Sequence, residues 1–146
     1  MAATLIRSAA PSDAAEIARL LTVLGFPTAA DALAARWDKW AAEGNAALVA
    51  VQPDGTLAGV VTLHQMRVLH RPRPVGRITS LVVDAPLRGQ GIGRALVAAA
   101  EEALHHSGCG LLEITSNVER VDAHAFYEQL EYERTSVRLA KVLPSD

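Results

Sequence analysis

Between an apolar run, residues 78–84, and an alanine-rich helical pattern, residues 95–104, lies the stretch Arg88-Gly89-Gln90-Gly91-Ile92-Gly93-Arg94. Strand, glycine-rich turn and helix in that order restrict the chain to folds in which a strand feeds a helix N-terminus. The first helical turn carries N–H groups with no partner inside the helix, and the helix dipole adds partial positive charge there. Glycines admit loop conformations closed to other residues and let a ligand approach the backbone. These features suit a phosphate or pyrophosphate. The plainer reading is a glycine-rich turn that only caps a helix. Two well-defined phosphate loops are excluded: no Gly-Lys pair occurs for a P-loop, and Gly89, Gly91 and Gly93 lack the last glycine of G-x-G-x-x-G.

The 146 residues suit one domain over residues 1–146, with length enough for a core. Half the residues are apolar, which argues against disorder. A net charge of −2, with the signs interleaved, gives no nucleic-acid face and no polybasic membrane anchor. No apolar run approaches the ~20 residues of a membrane span, and the N-terminus lacks the basic-then-apolar order of a signal peptide. A single cysteine, Cys109, rules out an internal disulfide and a Cys-based zinc site. The histidines supply no third ligand for a metal site. A cytoplasmic protein without a metal is expected.

Along the chain, residues 4–8 read as a strand. Pro11-Ser12-Asp13 opens a helix, with Asp13 and Glu16 as a capping-box pair, and Gly25 ends it. Thr28-x-x-Asp31 opens a second helix, which Gly44 closes; Trp37 and Trp40 lie on its apolar stripe. Trp37 and Trp40 read as core anchors, with a border on a ligand pocket as the alternative. Residues 46–52 and 56–66 are strands around the turn Pro53-Asp54-Gly55. Residues 68–74 are an exposed loop, 75–84 a strand, and the glycine-loop helix runs to His106. Strand 111–116, helix 122–130 and a last strand 133–140 follow. The predicted fold is α/β: a mixed central sheet with helices on both faces and one right-handed crossover carrying the glycine loop.

The pattern Arg88-x-x-Gly91-x-Gly93 resembles the coenzyme A pyrophosphate loop of the GNAT superfamily of N-acetyltransferases. Asn117 followed by Ala123 and Tyr127 resembles the N-x-x-A-x-x-x-Y stretch near the C-terminal end of such domains, with a slightly longer first spacing. The resemblance implies acetyl-CoA as co-substrate. It assigns the pantetheine arm to backbone groups of Leu81, Val82 and Val83, and the pyrophosphate to Arg88, Gly89, Gln90, Gly91, Ile92, Gly93 and Arg94. It puts Asn117 beside the pantetheine arm and Tyr127 near the thioester sulfur. The acceptor implied is a primary amine of a small molecule, with neither nucleic acid nor membrane as partner, and a homodimer is left open. The other functions it admits are acetylation of a protein N-terminus or lysine, and a catalytically silent acyl-CoA sensor. One departure is Glu131-Tyr132, where family members usually have a glycine and an aromatic. A non-glycine residue in a left-handed helix C-cap costs on the order of 1 kcal/mol, so either the helix ends differently or the strain is tolerated.

Acetyl transfer to an amine needs a neutral nucleophile, a polarised thioester carbonyl and a proton for the leaving thiolate. Glu113, a carboxylate inside the apolar strand run 111–116, is the candidate base; an ion pair with Arg77, Arg120 or Arg138 is the alternative. Tyr127 is the candidate general acid; a rim tyrosine with a satisfied hydroxyl is its alternative. Asp84 and Glu119 read as turn caps, His105 and His106 as charges on a helix C-terminus, and Cys109 as a bystander.

Overall fold

The computed structural model describes residues 4–115 and 121–145. The chain divides into two compact units, Met1–Ile114 and Thr115–Asp146. The first unit holds a five-stranded sheet in sequential order: β1 (Leu5–Ser8), β2 (Asn45–Val51), β3 (Leu57–Met66), β4 (Val75–Val83) and β5 (Leu111–Ile114). The first four strands are antiparallel neighbours; a short turn joins β2 to β3, and the loop of residues 67–74 joins β3 to β4. β5 is parallel to β4, because α3 (Ile92–His106) intervenes as a crossover. The sheet is therefore mixed, as the element order predicts.

Register and alternation put helices on both faces. Ala47, Val49, Val60 and Val82 share a face with the helices α1 (Ala14–Leu24) and α2 (Ala30–Ala42), and with Ile17, Leu20 and Leu33 they form one buried cluster. The opposite face receives α3. A Cβ on Gly59 would lie 3.0 Å from Leu96 Cδ1, and one on Gly76 would lie 2.8 Å from Leu104 Cδ1. Missing side chains at those two strand positions let α3 sit close on the sheet. Leu96, Val97, Ala100 and Leu104 are buried along it.

Several local expectations need correction. Asp13 does not cap α1 with Glu16. A short 3₁₀ turn, Pro11–Asp13, comes first, and the Asp13 carboxylate accepts from the Ala10 N–H and pairs with Arg7 at 2.8 Å. Glu16 instead pairs with Arg19 and accepts from the Leu57 N–H. Both carboxyls are held below their ordinary range, chiefly by the guanidinium hydrogen bonds. Thr28 does not open α2: its hydroxyl donates to the Phe26 carbonyl, and Ala29 is the N-cap. Gly25 does end α1, with a positive φ.

The second unit holds α4 (Val121–Gln129). It closes as expected of a Schellman cap: Tyr132 N–H donates to the Tyr127 carbonyl and Glu131 N–H to the Glu128 carbonyl. Glu131 occupies the left-handed position with φ of 72°, the one positive-φ non-glycine residue among the described residues. The departure noted at Glu131 is thus tolerated strain and not a different helix end. The last strand, residues 133–140, is not formed. A strand needs a partner ladder for its backbone groups, and Val137 and Leu139, whose burial would draw it onto a sheet, are exposed.

Candidate active site

β4 ends at Val83, and Asp84 turns the chain. Its carboxylate accepts from the Ala85 N–H and pairs with Arg19 of α1 at 2.9 Å, so it is a turn cap, as the sequence suggests. A 3₁₀ turn, Ala85–Leu87, follows, then the glycine loop, then α3. Gly89 and Gly91 both take φ above +80°, and Gly91 is the N-cap of α3. Only glycine adopts that conformation without strain. A Cβ on either would meet nothing within 4 Å, so the space above the loop is open. The first bond closing inside the helix is Ala95 N–H to the Gly91 carbonyl. The N–H groups of Ile92, Gly93 and Arg94 therefore precede any intrahelical partner. No acidic side chain stands in that first turn to compete for them. Arg94 is exposed and Gln90 lies on the exposed part of the loop. The Arg88 side chain folds back to donate to the Val83 carbonyl at 3.1 Å, which keeps its charge at the loop.

β4 itself is open along one edge. It pairs with β3 through Val83, but its parallel pairing with β5 covers only Val75 to Ile78. Beyond Ile78 no strand among the described residues occupies that edge, so Leu81, Val82 and Val83 border it. A bulge sharpens the opening. Thr62 faces Ser80 and Leu63 faces Ile78, leaving Thr79 as the extra residue. The Thr62 hydroxyl is hydrogen-bonded to the hydroxyls of both Thr79 and Ser80. Bulges redirect side chains and interrupt pairing. No sequence pattern announced this one.

On the α1/α2 face lies a cleft of about 210 Å³, lined among others by Leu21, Arg36, Trp37, Trp40, Thr62 and Ser80. The two indoles are tilted at 55°, 5.2 Å apart. Both are half-buried, packing on the core cluster with one side and bordering the cleft with the other, so the two readings of these residues coexist. Arg36, Thr62 and Ser80 were missed by sequence reasoning. The signal available was Arg36 one helical turn before Trp40, on the same row of α2.

Glu113 is the register partner of Arg77, and the two form an ion pair of 2.9 Å. The ion-pair alternative is thus realised with the first of the three named arginines. The contact uses Oε2, and the Glu113 side chain keeps 42% exposure. In the second unit, Tyr127 is half-buried on α4 with edge contacts to Phe126 at 5.3 Å and Tyr132 at 6.2 Å. Asn117 and Glu119 lie outside the described residues. His105 and His106 fall in the last turn of α3, and Cys109 is buried with a free thiol.

Residues 14–132 match the acetyltransferase (GNAT) family. The chain belongs to that family. An aminoglycoside N(6')-acetyltransferase type 1 of Stenotrophomonas maltophilia is 34% identical over 91% of this chain and 88% of its own. An aminoalkylphosphonate N-acetyltransferase of Salmonella typhimurium is 40% identical over 62% of this chain, a stretch that spans 58% of that relative's length. Among solved structures, a Trypanosoma brucei acetyltransferase superposes with a TM-score of 0.83 at 28% identity, covering 97% of this GNAT chain and 100% of its own. No helix among the described residues is long and apolar enough to cross a membrane.

Proposed function

We propose that residues 1–146 act as a single acetyltransferase domain that moves the acetyl group of acetyl-CoA to a primary amine of a small molecule, in a ternary complex. The observation that carries the reading is a sequence of elements: the open edge of β4 leads, through the turn Ala85–Leu87 and the glycine loop, into the first-turn amides of α3. An extended amide-bearing arm hydrogen-bonds to a strand edge as an added strand does. A pyrophosphate at its end then meets Arg88, Gly89, Gln90, Gly91, Ile92, Gly93 and Arg94, where helix amides and guanidinium charge favour it. Leu81, Val82 and Val83 offer the backbone groups for the arm. Asn117 is assigned a place beside it by family likeness. The co-substrate supplies an activated acetyl thioester; the chain supplies orientation and electrostatics.

In the transfer, the amine nitrogen bonds to the thioester carbonyl carbon and the carbon–sulfur bond breaks. A backbone N–H on the open edge of β4 stabilises the negative charge growing on the carbonyl oxygen. Glu113, directly or through a water, takes the proton that the amine loses. Tyr127 gives a proton to the leaving thiolate. The products are an amide and the free thiol. The names of the two relatives, an aminoalkylphosphonate and an aminoglycoside acetyltransferase, support a small-molecule acceptor.

Acetyl-CoA is expected to raise the melting temperature. A ligand at 100 times its Kd adds about 2.7 kcal/mol to stability. NAD and ATP should shift the melt far less, and equal shifts with ATP would defeat the coenzyme assignment. Glu113→Gln should lower activity most at neutral pH and less at high pH, where the amine is already neutral. An equal loss across the pH profile would leave Glu113 only as the partner of Arg77.

A further inference from the structure

We infer that the cleft between α1, α2 and the sheet selects acceptors that carry one anionic group besides the amine, and that Arg36 holds that anion. The inference rests on the proposed transferase activity and names its substrate class. Arg36 is the one charged residue among those lining the cleft. It makes no ion pair and no side-chain hydrogen bond among the described residues, in contrast to Arg7, Arg19 and Arg77, which all do. Arg36 is exposed at the cleft, and no carboxylate among the described residues lines it, so its guanidinium is open to an incoming anion. Its planar fork matches a carboxylate, phosphonate or phosphate through two parallel hydrogen bonds.

The rest of the cleft complements the remainder of such a molecule. Leu21, Leu33 and the indoles of Trp37 and Trp40 give an apolar wall for a short carbon chain. The Thr62 and Ser80 hydroxyls, hydrogen-bonded to one another, give a polar floor with lone pairs that can accept from an amine. Ser80 is next in sequence to Leu81, so the floor adjoins the open edge of β4, where the thioester is assigned. Anion at Arg36 and amine at the hydroxyl floor is an orientation that brings the amine toward that edge.

Size and charge disfavour the opposite class. The cleft of about 210 Å³ holds roughly seven waters at about 30 Å³ each, and drug-sized pockets run to about 300–1,000 Å³. It suits a small acceptor. A polycationic amine would meet Arg36 and no lining carboxylate, and an unpaired cation beside apolar walls is disfavoured.

The test is steady-state kinetics with four amines of matched length: 3-aminopropylphosphonate, β-alanine, propylamine and 1,3-diaminopropane. The wild type should favour either anionic amine over propylamine, and propylamine over the diamine. Arg36→Gln should lower the kcat/KM ratio of anionic amine to propylamine by about 10- to 100-fold, the range of a charge-assisted hydrogen bond. The change should fall on KM, because the contact is made equally in ground and transition states. Arg36→Lys should retain part of the ratio, and Arg36→Glu should turn preference toward the diamine. An unchanged acetyl-CoA melting shift in each variant confirms that the fold is intact. A ratio indifferent to Arg36→Gln, or a wild type that prefers the diamine, overturns the inference while leaving the transferase reading standing. Acetyl-CoA binding without turnover of any amine overturns both, and does so at the level of the transferase activity.

Discussion

Gly91→Asp is expected to abolish the melting shift produced by acetyl-CoA. Gly91 is the N-cap of α3, with φ of 83°, and a Cβ there would meet open space. The new side chain would stand in the open space above the loop, at the site proposed for the pyrophosphate. Its carboxylate would accept from the N–H groups of the first turn, as aspartate does at helix N-caps. It would thereby occupy the donors assigned to the pyrophosphate and set a like charge against it. Aspartate is among the residues that best tolerate a positive φ, so the apo protein should still melt cooperatively, at a somewhat lower temperature. The expected loss is the whole coenzyme contribution, about 2.7 kcal/mol at 100 times Kd. The measurement is a pair of melts, with and without acetyl-CoA, beside a calorimetric titration. Near wild-type affinity in the variant would reduce the loop to a helix cap.

Tyr127→Phe is expected to bind acetyl-CoA about as well as the wild type and to turn over more slowly. Phenylalanine keeps the ring and with it the edge contacts to Phe126 and Tyr132. Only the hydroxyl is removed. A positioned general acid contributes roughly 10²–10⁴ in rate, and a thiolate leaves readily, so the low end of that range is expected. The loss should appear in kcat and not in coenzyme affinity, because the hydroxyl matters as charge grows on sulfur. An unchanged kcat with an identified acceptor would remove Tyr127 from the mechanism and leave it as a packed tyrosine of α4.

The glycine loop was readable because its determinants are local. Gly89 and Gly91 sit where the backbone takes positive φ, and an apolar run precedes them. Helix ends were less readable. Asp13 and Thr28 have the residue types of caps, yet Asp13 binds Arg7 and the Ala10 amide, and Thr28 closes a turn on Phe26. Cap residues compete among several nearby backbone partners, and the winner depends on how the adjoining chain packs. Residues 133–140 show the same limit for strands. Their alternation of Val137 and Leu139 suits a strand, but a strand exists only where another backbone pairs with it.

The sequence by itself determined the family, the element order through α4 and the glycine turn that opens α3, since each depends on neighbours within a few residues. It also marked Glu131 as a departure, because the lack of a glycine at a helix end has a local cost, and the structure decided for tolerated strain over a different helix end. Only the tertiary structure decided that β4 and β5 part after Ile78, that Thr79 bulges against Thr62, and that Arg77 claims Glu113. It alone brought Arg36 and the indoles of α2 to the same cleft as Ser80 of β4. Those features join residues tens of positions apart, and their partners are chosen by sheet register and helix packing, which no short stretch of sequence encodes.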